Sequence, residues 1–179
     1  MSEENKTLVR RELKEIFNEG KLDLADELLT SDYIVYDSAL PEPVHGIEGF
    51  KRLRASYHDA CSEVHTTIDD MIAEDDKVVT RWTTRGTHDK GQMMGVPPTG
   101  KQIEVTGITV NRISGGRIAE DWTVWDSLGL LRQLGAIPER VVRRDLVLRS
   151  KASRASPSFS TIFTNVVEHE FSEDRANLL

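Results

Sequence analysis

Residues 101–126 read KQIEVTGITVNRISGGRIAEDWTVWD. Two runs rich in Val, Ile, Thr and Trp alternate at a period of two, the signature of β-strands rather than of a 3.6-residue helix. Ser114-Gly115-Gly116 separates them, and its glycines accept the positive φ angles of a tight hairpin. Within this hairpin the stretch Ala119–Asp126, AEDWTVWD, holds three carboxylates and two tryptophans. Strand alternation divides it: Asp121, Thr123 and Trp125 share one side, and Glu120, Trp122, Val124 and Asp126 the other. On the preceding run Ile103, Val105, Gly107, Thr109 and Asn111 share a side.

Two earlier runs, VHTTIDDMIA and KVVTRWTTRGTH, have the same period and meet at Glu74-Asp75-Asp76, so a four-strand meander is expected from residue 64 onward. Ahead of it the period is helical. Val9, Leu13, Ile16 and Phe17 form one face of a helix expected over residues 5–18, ended by Gly20. LDLADELLTSDY reads as a second short helix, YIVYDS as a brief strand, and GIEGFKRLRASYHDAC as a third helix. DSLGLLRQLGAIP closes the region as a last helix, with Asp126 as its N-cap and Gly135 and Pro138 as its stop. Helices first and strands after predict an α+β domain, a curved sheet covered by helices with a ligand pocket inside.

The chain has 179 residues, enough for one domain and a tail. Beyond Pro138 the sequence turns basic and serine-rich and then acidic, so the domain is set at 1–138 and a C-terminal tail at 139–179. Residues 139–149 are a helix candidate within that tail, ahead of flexible chain. A net charge of -7 argues against a nucleic-acid or anionic-membrane binder, which needs clustered Lys and Arg. One cysteine, Cys61, rules out an internal disulfide, and with no signal-peptide pattern the expected location is the cytoplasm. No G-x-G-x-x-G, P-loop, H-x-x-x-H or C-x-x-C occurs, so neither a nucleotide cofactor nor a metal is expected.

The run MMGVPPTGKQIEVTGITVNRISGGRIAEDWTVWDSLGLLRQLGAIP resembles the SnoaL-like polyketide cyclase family, through G-x-P-P-T-G-K and the later R-I-x-x-G-x-I-x-E-x-W-x-x-x-D-x-L-G-L-L-x-Q-L-G. EGKLDLADELLTSDYI, GIEGFKRL and IAEDDKVVTRWTTRGTH extend the resemblance over about residues 6–138. It implies an NTF2-like cone: a curved mixed or antiparallel sheet with three to four helices enclosing a pocket. It also implies a homodimer or higher homo-oligomer, and chemistry without metal or organic cofactor. The family's cyclases use an acid/base carboxylate on the last strand and a histidine on the strand before. By register those positions here are Thr123 and Thr109, and a threonine cannot take a proton from carbon at neutral pH.

Asp121 is therefore the acid/base candidate, with His88 and Thr123 as catalytic partners. Tyr33, Asp37, Tyr57, Trp82, Met94, Thr109 and Trp125 are the expected substrate-binding residues, and Asp37 is a candidate to share the cavity with Asp121 as a carboxylate pair. The first reading is an enzyme performing isomerisation, cyclisation or lyase chemistry on a small hydrophobic cyclic or polyketide-like metabolite. A binding protein holding such a ligand without turnover is the second, and a dimeric interaction module the third.

Overall fold

The computed structural model describes residues 2–137, and the expected tail lies outside the described residues. Helix α1 (Ser2–Arg11) does not continue as the expected α-helix to residue 18. Glu12–Asn18 winds as a π-helix instead, and the Glu19 N–H reaches back five residues to the Lys14 carbonyl. The wider turn keeps Leu13 and Ile16 in the core, and it buries Glu12 beside them. A 3₁₀ turn (Leu22–Leu24) and α2 (Ala25–Leu28) then feed β1 (Leu29–Asp37), which is longer than the YIVYDS strand expected.

A two-residue strand β2 (Val44–His45) precedes α3 (Gly46–Ala60). The meander follows as β3 (Ser62–Glu74), β4 (Lys77–His88), β5 (Lys101–Ser114) and β6 (Arg117–Trp125), and α4 (Ser127–Leu134) closes the described chain. Gly115 and Gly116 both take positive φ, as the β5–β6 hairpin requires. Asp126 caps α4 by accepting the Gly129 N–H at 2.7 Å, and Gly135 ends the helix in the left-handed region.

The six strands form one sheet in the order β2-β1-β6-β5-β4-β3, antiparallel throughout except where β1 runs parallel to β6. The mixed, curved sheet with four helices is the NTF2-like architecture expected. Irregularities in the ladder account for the curvature: register shifts occur between Ser62 and His65, Ile68 and Asp70, Arg112 and Ile113, and Leu29 and Ile34. Each places unequal numbers of residues on paired strands and bends the sheet locally.

The concave face is covered by α1, its π-helical continuation and α3. Val9, Ile16, Leu28, Tyr33, Phe50 and Ile118 are almost fully buried in this core. The other face of β6 and its neighbours is apolar without being covered in the described chain. Tyr36 stacks on Trp122 at 5.4 Å between ring centroids, and Val124 across from Ile108 is 66% exposed. No helix among the described residues is long and apolar enough to cross a membrane.

Candidate functional site

Between the concave face and the helices lies a cavity of about 550 Å³. Its wall includes Val9, Phe17, Leu53, Val64, Ile103 and Val105, and two inward-facing rungs of the sheet bring paired polar side chains to it. The alternation expected for β6 holds: Asp121, Thr123 and Trp125 line the cavity, and Trp122 and Val124 are exposed on the other side.

The first rung pairs Thr109 with Thr123, whose hydroxyls lie 3.0 Å apart. Trp82 donates its indole N–H to the Thr109 Oγ1 at 3.0 Å, so both hydroxyls sit in a chain of neutral hydrogen bonds. Beside this rung, Gly107 lies between Trp82 and Trp125 on adjacent strands. A Cβ at Gly107 would stand 2.4 Å from the Trp82 Cζ2, so only glycine lets that indole lie flat across the strand.

The second rung, two residues along each strand, pairs Asn111 with Asp121. Asn111 donates its Nδ2 hydrogen to the Asp121 Oδ1 at 2.6 Å, and the Tyr33 hydroxyl donates to Oδ2 at 2.6 Å. Asp121 is only 2% exposed. Burial pushes its carboxyl up to about 6, while the hydrogen bonds from Tyr33 and Asn111 and the charge of Arg54 hold it from rising further. Burial, with the charges of Asp121 and Glu12, pushes the Tyr33 phenol well above its ordinary value, so it remains a donor.

Glu12 and Arg54 complete this end of the cavity. Burial and the Asp121 charge push the Glu12 carboxyl well above the usual carboxylate range, against the opposing pull of Arg54. The Arg54 guanidinium lies over the Phe17 ring, 3.8 Å from its centroid, with Phe50 at 5.0 Å. Four buried polar atoms of cavity-lining residues have no hydrogen-bond partner among the described residues: Glu12 Oε1, Arg54 Nε, Thr80 Oγ1 and Asn111 Oδ1. Buried polar atoms are nearly always paired, so unpartnered ones on the lining of an apolar cavity are the mark of a place that receives a polar group.

Several expectations are thereby revised. His88 does not approach Asp121. The Asp121 rung meets β4 at Val78, whereas His88 ends that strand, roughly 30 Å away at the rise of a β-strand. Its ring is buried, with Nδ1 3.2 Å from the Thr99 Oγ1 and Nε2 2.9 Å from the Gly91 carbonyl, where it fixes the loop after β4. Tyr33 lies behind the cavity wall and meets Asp121 rather than the cavity itself. Asp37 does line the cavity, but its Oδ1 accepts the Trp125 indole N–H at 2.8 Å, and the carboxyl whose electrostatics interlock with Asp121 is Glu12. Tyr57, Trp82, Met94, Thr109 and Trp125 all contribute to the lining.

Glu12 and Arg54 escaped the sequence reading. Glu12 stands three residues after Val9 and four before Ile16, on the apolar stripe itself, and an acid in that position was the available signal. Arg54, four residues after Phe50 and three before Tyr57, carried a similar one.

The raised acid makes stability depend on pH. A carboxyl whose folded-state pKa lies above its unfolded value favours folding fully below the unfolded value, and that contribution is lost as pH rises through the folded one. For Asp121 the window runs from 3.8 to about 6. Between about pH 4 and about pH 7 the wild type is expected to lose on the order of 3 kcal/mol relative to Asp121→Asn, measured by urea unfolding across pH. Parallel curves for the two proteins would show that Asp121 titrates normally.

A sequence model of the SnoaL-like polyketide cyclase family matches residues 7–134. Among solved structures, TsrD from Streptomyces laurentii is 31% identical with a TM-score of 0.67, over 75% of this chain and 96% of its own. IdmH from Streptomyces antibioticus, a candidate polyketide cyclase, is 30% identical with a TM-score of 0.64, over 73% and 98%. AclR from Streptomyces galilaeus, a candidate hydroxylase, is 25% identical with a TM-score of 0.68, over 77% and 100%. No curated protein matches the chain at a significant level.

Proposed function

Since the chain belongs to the SnoaL-like polyketide cyclase family, we propose that it is a cofactor-independent enzyme that moves a proton next to a carbonyl in a small hydrophobic cyclic or polyketide-like metabolite. Isomerisation, cyclisation and lyase steps all begin in this way. One observation carries the reading: Asp121, a buried carboxyl with a pKa of about 6, lines an apolar cavity with both oxygens oriented by neutral donors. A buried base poised near neutrality in a largely apolar pocket is suited to abstract a proton from carbon. Thr123 and Thr109 then serve as neutral hydrogen-bonding neighbours, and Trp82, Trp125, Tyr57 and Met94 as the walls that hold a flat ligand. The three structural neighbours include candidate members of two reaction classes, cyclase and hydroxylase, so the reading is kept to the shared proton transfer.

A homodimer formed through the exposed face of Tyr36, Trp122, Val124 and Ile108 belongs to the same proposal, as does residence in the cytoplasm, a compartment suited to the buried free thiol of Cys61. The rival reading, a binder without turnover, draws on the threonines at the family's catalytic positions.

The test uses 2-tetralone and a panel of polycyclic ketones as probes, with thermal shift for binding and proton NMR in D₂O for loss of the α-protons. Stabilisation together with exchange faster than in buffer is the expected result. Stabilisation without exchange points to the binder, and neither effect across the panel sinks both readings.

A further inference from the structure

We infer that Glu12 is the second acid–base group of this site: it donates its proton to the carbonyl oxygen of an enolisable ketone, ester or thioester while Asp121 takes the α-proton. The inference rests on the reading of Asp121 as the base and adds the partner that the reaction needs. An enolate forming in an apolar cavity must have its oxygen neutralised, or the negative charge is left without a partner in a low-dielectric site. Thr123 and Thr109 can offer a hydrogen bond but not a proton: Trp82 donates to Thr109 and leaves one O–H of the pair free, yet a hydroxyl is too weak an acid to neutralise an enolate.

Glu12 is placed for it. It lines the cavity, is 2% exposed, and its Oε1 has no hydrogen-bond partner among the described residues. The groups that face it come from three other elements: Asp121 on β6, Tyr33 on β1 and Arg54 on α3. Asp121 and burial favour its protonated form, and Arg54 opposes them. A carboxylic acid kept neutral by its site can act as a hydrogen-bond and proton donor at neutral pH. The unpartnered Asn111 Oδ1, on the Asp121 rung, marks the same end of the cavity as the receiver of a polar group.

In the step the Asp121 carboxylate accepts the α-proton, and the C–H electron pair becomes the enol C=C bond. The carbonyl π pair moves onto oxygen, which takes the Glu12 proton. The products are the neutral enol, protonated Asp121 and ionised Glu12. Returning the Asp121 proton to the α-carbon gives exchange. Where the substrate carries a β,γ C=C, the enol is a dienol, and returning the proton to its γ-carbon while Glu12 recovers its own from the enol oxygen moves that double bond into conjugation with no other reactant.

The experiment compares wild type, Glu12→Gln, Glu12→Asp and Asp121→Asn in the D₂O exchange of the ketone panel. Glu12→Gln should bind the ketones as the wild type does and exchange their α-protons about 10²–10⁴-fold more slowly, with partial recovery in Glu12→Asp. If Glu12→Gln exchanges within about threefold of wild type while Asp121→Asn does not exchange, this inference fails and the reading of Asp121 stands. If the wild type exchanges none of the ketones, the reading and the inference fall together. Should Glu12→Gln not fold, ¹³C NMR of carboxyl-labelled glutamate in the wild type decides. A Glu12 resonance at the protonated position at neutral pH supports the inference, and one at the ionised position overturns it.

Discussion

Asp121→Asn is expected to fold as the wild type does, to keep its affinity for apolar ketones, and to lose about 10²–10⁴-fold in α-proton exchange. The substitution keeps the size and planarity of the side chain, so the cavity walls have no reason to move. The Tyr33 hydroxyl can still donate to the amide oxygen. What disappears is a carboxylate able to accept a proton from carbon. The change also removes the charge that helps raise Glu12, and a buried titrating acid besides, so thermal stability at neutral pH should not fall. Stability unchanged with exchange lost would separate chemistry from scaffold. Exchange that survived the substitution would remove Asp121 from the mechanism.

Phe50→Ala is expected to cost about 3–5 kcal/mol, or roughly 10 °C in Tm. Phe50 is fully buried, meets the Tyr33 ring edge-on at 5.4 Å and the Phe17 ring at 6.4 Å, and has Arg54 at 5.0 Å. It is thus the packing support for two of the groups that set the Asp121 environment. Without it the Tyr33 ring loses its edge contact and its hydroxyl is less firmly aimed at Oδ2. Since that hydrogen bond favours ionised Asp121, the exchange profile should move to higher pH as stability falls. A loss below about 1 kcal/mol with an unmoved pH profile would show that Phe50 supports neither.

Much of this was legible beforehand for a physical reason. A strand presents alternate residues to opposite faces, so one correct register for β6 assigned Asp121, Thr123 and Trp125 to the cavity at once. The glycine pair fixed that register through the hairpin. Asp126 as an N-cap followed from local chemistry in the same way. His88 did not, because a residue's face on a strand says nothing about its distance along the cavity from another strand's acid. The Asp37 pairing failed similarly: the face was right, but the partner was Trp125, and partner choice is decided by side-chain reach across strands. Glu12 was missed for a different reason: it occupies the apolar stripe between Val9 and Ile16, but an acid is by residue type assigned to the solvent face.

The two rungs carry a consequence for the shape of a substrate. In the family resemblance the histidine and carboxylate positions fall on Thr109 and Thr123, and here the polar pair with a carboxyl is the next rung, Asn111 and Asp121. Two residues of strand are about 7 Å. Asp121 lies that distance from Thr123 toward the more buried end, where Glu12 and Arg54 meet it, while the indoles of Trp82 and Trp125 stand beside the Thr109–Thr123 rung. A rigid multi-ring ligand that stopped between the indoles would present its reacting carbon one ring short of Asp121. Under the proposed proton transfer at Asp121, the expected substrate is a molecule with a slender leading edge, a single ring or an acyl arm, that would pass the tryptophans and carry its carbonyl ahead of its bulk.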